Sequence, residues 1–313
     1  SYSRGVVMRS VLITGCSSGF GLESALALAR GGWRVFATMR DLERRGPLER
    51  AIERAGVGAD GVGNRVELLQ LDVLNQGSID RAVAQVLAHT GGTLHAVVHN
   101  AGIGDAGFFE DVPDEQMRRV MDTNFFGTLA LTRAVLPVMR RQRHGRIVVV
   151  SSLGAFTGQP AMSAYVASKW ALEGWAESLA IEVAGFGIDV ALIEPGAHKT
   201  GIWDAAKIAS PEHSPYRPLV TIMEPRIRGM VERDAGDPAE VGARIAAVLS
   251  SRRRPWLRHP VGRDAWTMRV LSRVIPFARR RRIIAHLVGL PTGPPGQANT
   301  PDIPAAGAQS PSP

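Results

Sequence analysis

Residues 11–22 read Val11-Leu12-Ile13-Thr14-Gly15-Cys16-Ser17-Ser18-Gly19-Phe20-Gly21-Leu22, a short apolar run that breaks into a glycine-rich turn and then opens a helical pattern. Glycines at 15, 19 and 21 let the chain turn tightly, bring backbone N–H groups close to a pyrophosphate, and seat the helix on the strand. Ser17, Ser18 and Phe20 fill the same turn, where the helix N-terminus faces the negative charge. A lone glycine triplet is weak evidence, but this one stands in the strand–turn–helix context that the chemistry requires.

Outward from that loop the chain alternates. Apolar runs predict strands at Ser10–Thr14, Arg34–Met39, Val66–Asp72, Leu94–His99, Arg146–Ser151, Ile188–Glu194 and Pro255–Pro260. Helical periodicity covers Gly19–Arg30, Pro47–Ala55, Ser78–His89, Asp114–Arg141, Ala161–Val183 and Pro238–Ser250. Runs that are apolar on both faces suit parallel strands covered by helices. Strict alternation predicts an α/β fold: a doubly wound, mostly parallel Rossmann sheet of about seven strands in a single domain, with a C-terminal helical extension.

Composition narrows the class. The chain has 313 residues, 45% of them hydrophobic, enough for one large core. No run reaches the roughly eighteen apolar residues of a membrane span, and the start of the chain does not read as a signal peptide. Residues 1–8 read as leader. One cysteine, Cys16, rules out an internal disulfide and fits a reducing cytoplasm. The eight histidines lack ligand spacing, so no metal site is expected.

The second strand ends at Met39-Arg40. An acid there would bind the 2′-hydroxyl of NAD, whereas Arg40 can pair with a 2′-phosphate. This favours NADP, while Asp41 keeps NAD open. Asp72, with Val73 beside it, is placed to meet the adenine ring. Asn100-Ala101-Gly102, ending the fourth strand, would lie beneath the ribose.

Tyr165 and Lys169 stand four residues apart in a helical pattern, so both project from one face. A tyrosine hydroxyl titrates near pH 10, and a neighbouring ammonium is expected to lower that value towards neutrality. The hydroxyl would then protonate a carbonyl oxygen, or its phenolate would take an alcohol proton. Ser152, at the end of the fifth strand, offers a donor to the same oxygen. Asn124 is a poor helix former inside a long helix, where a local break could free a carbonyl to hold a water beside Lys169. Taken singly, each of these residues has an ordinary structural reading; the joint arrangement carries the inference.

These motifs together resemble the short-chain dehydrogenases/reductases over about Arg9 to Ser250. The resemblance rests on Thr14-Gly15 through Gly19-Phe20-Gly21, Asp72, Asn100-Ala101-Gly102, Asn124, Ser152, Tyr165 with Lys169, and Pro195-Gly196 with Thr200. It implies a tetrad of Asn124, Ser152, Tyr165 and Lys169, with Thr200 on the nicotinamide carboxamide, and a homodimer or homotetramer formed through the helices at 114–141 and 161–183. His99 stands where the family more often has asparagine. The wording of residues 14–21, Ala37-Thr38-Met39-Arg40-Asp41 and Ser168-Lys169-Trp170-Ala171-Leu172-Glu173-Gly174 is similar to the branch of 17β-hydroxysteroid and retinol dehydrogenases. That branch implies a lipophilic small-molecule substrate. The alternatives are a non-catalytic redox sensor with the same fold and, less suited to this loop spacing, a sugar-nucleotide epimerase or dehydratase.

Three segments lie outside this frame. Residues 197–228, with prolines at 211, 215, 218 and 225, read as an irregular substrate lid. Residues 291–313 read as a disordered Pro-rich tail. The extension at 251–290 is basic, with eleven arginines between Arg252 and Arg282 against one acid, Asp264. It fits a helix packed beside the substrate pocket with solvated arginines, or a weak contact with an anionic membrane surface. No reading motif points to nucleic acid.

Overall fold

The computed structural model describes residues 8–56, 62–200 and 208–292. The expected leader (1–7), most of the expected tail (293–313) and the segment 201–207 lie outside the described residues.

Seven parallel strands form the main sheet: β1 (Ser10–Ile13), β2 (Arg34–Met39), β3 (Val66–Gln70), β4 (Ala96–His99), β6 (Gly145–Val150), β7 (Ile188–Pro195) and β9 (Arg258–Val261). Their order is β3-β2-β1-β4-β6-β7-β9. Side chains alternate between two apolar layers, as the pleat dictates. Val11, Ile13, Val98 and Ile193 face one layer, with α1 (Gly19–Arg30) and α8 (Pro238–Ser250). Leu12, Val97, Ile147 and Leu192 face the other, with α3 (Gln76–His89), α5 (Gly127–Gln142) and α6 (Ser163–Val183). Both faces of the central strands are therefore buried, and their near-continuous apolar runs follow. The strand order reverses between β1 and β4, so the ends of those two strands open a crevice.

Three departures from the expected elements matter for the site. The predicted helix at 114–141 is α4 (Asp114–Met121) and α5, joined through a π-helical turn at Asp122–Phe126. Gly127 starts α5, and a Cβ there would come within 2.7 Å of Val73 Cγ2. The predicted lid is in its second half helical: α7 spans Arg217–Asp234. Pro218 sits in its first turn, where no N–H is needed. Pro225 lies inside it, and buried Leu219, Val220 and Met223 anchor the helix against that cost. Before it, β8 (Ile208–Ala209) pairs with β5 (Ala106–Gly107). The extension is two helices, α9 (Arg263–Val274), packed beside β9, and α10 (Phe277–Val288), packed on α7.

Candidate active site

Thr14, at the end of β1, organises the crevice. Its Oγ1 accepts hydrogen bonds from the N–H groups of Asn100 (2.9 Å) and Ala101 (3.0 Å). Asn100 Nδ2 donates to the carbonyls of Thr14 (2.9 Å) and Gly15 (3.0 Å). The segment 100–102 thus holds the glycine turn in place. Gly15 has φ +72° and approaches Ala101 so closely that a Cβ would lie 2.9 Å from Ala101 Cα. At Gly21 a Cβ would overlap the Gly15 carbonyl. Only backbone fits in this cradle, and Ser18 N-caps α1 with extended backbone and no side-chain bond to the first turn. Cys16 is buried beneath it, its thiol pushed up to about 12 by desolvation, so it stays a protonated packing residue.

Arg40 follows β2 and is exposed. The Asp41 carboxylate turns away into its own chain and accepts from the Glu43 N–H at 2.9 Å. Asp72 stands two residues beyond the end of β3, where its carboxylate accepts from Leu74 N at 3.0 Å. Val73 packs on the Gly127 position described above.

Ser152, Tyr165, Pro195, Gly196 and Thr200 converge on one cavity of about 330 Å³, with Phe20 from the glycine turn and Leu153, Met162, Ile227, Met230 and Val231 as apolar lining. Ser152 Oγ accepts from the Gly154 N–H at 3.1 Å, which fixes its hydroxyl beside Tyr165. Lys169 lies one turn along α6, buried, with Nζ donating to the Val150 carbonyl at 2.8 Å and 5.5 Å from the Tyr165 ring centroid. Burial pulls Lys169 down to about 8, against a smaller opposing effect of the Glu173 carboxylate. The expected lowering of Tyr165 is not what this geometry produces. Desolvation holds its hydroxyl above the ordinary value, and the Ser152 hydrogen bond offsets this only in part.

Asn124 lies in the π turn, a distortion common at functional sites. Its side chain is committed: Oδ1 accepts from Ile103 N (2.8 Å), and Nδ2 donates to the Ile103 carbonyl (2.9 Å) and Ser168 Oγ (3.0 Å). Its carbonyl, the group expected to hold a water, accepts from Thr128 Oγ1 at 2.9 Å. His99 is buried, bonded to Thr132 Oγ1 at 2.9 Å and pushed down to about 3 by desolvation. It is a neutral packing residue.

Two lining residues escaped the sequence reading. His198 is buried, edge-on to Phe20 at 5.4 Å, with Nδ1 3.0 Å from the Gly196 carbonyl. Asp264, at the start of α9, accepts from the Ala197 N–H at 2.6 Å. A Cβ at Gly196 would overlap the Asp264 carboxylate, so this glycine serves the extension as well as the cleft. Thr200 meets the glycine turn: a Cβ on Gly19 would lie 3.4 Å from Thr200 Cγ2. Among the described residues no group of three or more His, Cys, Asp or Glu is placed to hold a metal ion.

A glycine cradle at a Rossmann switch point thus opens on a cavity lined by Ser152 and Tyr165, with Lys169 buried one turn along α6. The family model for short chain dehydrogenase matches residues 9–209, and the chain belongs to that family of oxidoreductases acting on CH–OH groups. The uncharacterized oxidoreductase YusZ of Bacillus subtilis is 35% identical over 87% of this chain and 96% of its own length. Retinol dehydrogenase 8 of Bos taurus is 45% identical over 60% of this chain and 58% of its own length. The crystal structure of a short-chain dehydrogenase from Streptomyces avermitilis superposes with a TM-score of 0.73 at 34% identity, covering 89% of this chain and 97% of that one.

Proposed function

We propose that this chain is an NADP(H)-dependent oxidoreductase that interconverts a lipophilic ketone or aldehyde and its alcohol, with Tyr165 as general acid/base. The observation that carries the reading is the meeting of Ser152 and Tyr165 with an apolar wall in one cavity beside the glycine cradle. The match to a protein named retinol dehydrogenase supports a bulky apolar substrate. Residues 9–250 form the catalytic unit and 251–290 an extension of it.

The cradle suits a dinucleotide, since a Cβ at Gly15 or Gly21 would collide with Ala101 or the Gly15 carbonyl, and only glycine there lets the turn fold tightly enough to present its backbone to a pyrophosphate. Gly15, Ser17, Ser18, Gly19, Phe20 and Gly21 would hold the phosphates, and Asp72, Val73 and Asn100 to Gly102 the adenosine half. Pro195, Gly196 and Thr200 would hold the nicotinamide end, and Lys169 its ribose. When bound, the cofactor supplies or accepts the hydride. Tyr165 delivers the proton from its hydroxyl to the substrate oxygen, Ser152 donates a hydrogen bond to the same oxygen, and Lys169 provides the positive charge that favours proton release. Asn124 fixes the loop at Ile103 and offers its carbonyl to a water.

Arg40 is exposed just beyond β2, and Asp41 already accepts from the Glu43 N–H, which supports Arg40 as the partner of a 2′-phosphate. Arg40→Ala is expected to weaken NADPH affinity about tenfold or more while leaving NADH affinity unchanged. Fluorescence titration of both nucleotides checks this, and equal affinities for NADPH before and after would end the NADP assignment.

Reduction needs Tyr165 protonated and Lys169 charged. With Tyr165 held above its usual value and Lys169 near 8, kcat/KM for reduction should be flat near neutrality and fall above about pH 8. A profile flat through that range would remove the role of the Lys169 charge. The reaction itself is tested by NADPH oxidation over a panel of apolar ketones and aldehydes. Tight NADPH binding without turnover in either direction would favour a redox sensor.

Exposed Phe126 on the π turn, with Trp170 and Ile181 on α6, supports assembly into a homodimer or homotetramer through those elements. A single buried cysteine supports residence in the cytoplasm.

A further inference from the structure

The basic extension plays no part in the chemistry proposed above. Its two helices each have an inner, packed side and an outer, exposed one. The inner face is fully engaged: Ala265 is buried, and Arg269 reaches Glu194 at 3.3 Å. Arg280 donates to the carbonyls of Ile275 (3.1 Å) and Phe156 (3.2 Å). Val288 closes a cluster with Met223, against which Ile227 and Met230 of the cavity wall pack.

The outer face is different. Trp266, Val270 and Val274 stand at four-residue intervals on α9, and Phe277 follows at the start of α10. Ile283 and Leu287, again four apart, follow on α10. All six are exposed, from 41% at Val270 to 68% at Val274. Around them Arg263, Arg273, Arg279, Arg281 and Arg282 are exposed too. The one acid, Asp264, is turned onto Ala197. Uncovered large apolar side chains set among charges of one sign mark a docking surface.

We infer that the exposed sides of the two helices at 263–288 dock on an anionic lipid bilayer, lying in the interface with their apolar side chains among the acyl chains and their arginines at the headgroups. A bilayer buries aliphatic side chains and satisfies the arginines at once. A nucleic acid would leave Val270, Val274, Ile283 and Leu287 in water. A second copy related by a two-fold axis would set one arginine cluster against its equal. No described helix is long and apolar enough to cross a membrane, so the contact is a surface one. The site's chemistry is not needed for this inference, and vesicle binding is read without substrate.

The experiment is co-sedimentation of the full chain with vesicles of phosphatidylcholine alone or mixed with phosphatidylglycerol. The expected result is binding to the anionic vesicles only, weakened by salt. Arg279→Gln, Arg281→Gln and Arg282→Gln together should lower the partition about a hundredfold, about a factor of five for each basic side chain at the surface. Trp266→Ser with Phe277→Ser should abolish insertion while the melting temperature and NADPH binding hold. Three results would overturn the inference: no sedimentation at low salt; sedimentation unchanged in both well-folded variants; or a drop in solution mass in the Trp266/Phe277 variant, which assigns the face to a second copy.

Discussion

Tyr165→Phe is expected to lower kcat by about 10²- to 10⁴-fold, the usual worth of a positioned general acid, with NADPH affinity unchanged. The phenyl ring keeps the packing of the buried tyrosine, so the cavity and the 5.5 Å approach of Lys169 Nζ to the ring survive. What goes is the proton. Burial keeps the Tyr165 hydroxyl protonated well past neutrality, which suits it to give a proton to a forming alkoxide beside the Ser152 hydroxyl. The same burial makes it a reluctant base, so alcohol oxidation should climb with pH through the range in which reduction is flat. Steady-state turnover and nucleotide titration on both proteins decide the matter. Wild-type kcat in the phenylalanine variant would move the proton source elsewhere, and a loss of NADPH binding would mean that the ring itself was displaced.

The cradle and the sheet were legible in the sequence because both are written locally. Parallel strands buried on two faces need continuous apolar runs, and a turn that admits only backbone needs glycine at Gly15 and Gly21. What the sequence hid is non-local. The prolines of 211–225 read as loop punctuation, yet Pro218 falls in a first turn that tolerates it, and the helix is held by Leu219, Val220 and Met223, whose burial comes from packing. Asp264 meets Ala197 across sixty-seven positions; along the chain it is merely the one acid in a basic stretch. The Tyr165 shift has the same origin. Spacing places the ammonium four residues away, but the sign of the shift is set by how much water the tertiary fold removes.

Arg258→Met should destabilise the protein by about 3–5 kcal/mol, the cost of leaving a buried ion network without its cation. Arg258, on β9, is 2.9 Å from Glu173, 2.6 Å from Glu177 and 3.2 Å from Glu194. Glu194 is fully buried, and Arg269 would remain its ion-pair partner, with a weaker contribution from Arg273. Even with both arginines, desolvation and the Glu173 charge hold Glu194 up at about 8, which the arginines only partly offset. An acid raised above its unfolded value of 4.5 in this way gives its full stabilisation below that value and loses it as pH climbs through about 8. Removing Arg258 raises both carboxylates further, so the melting temperature of the variant should fall more steeply with pH than that of the wild type. Adding Glu194→Gln should recover part of the loss, and simple additivity of the two substitutions would show that the pair does not interact. The consequence reaches the active site, because Glu173 is the group that props up the Lys169 charge. Once protonated it no longer does so, and the alkaline limb of the reduction profile should move below about pH 8 in the variant.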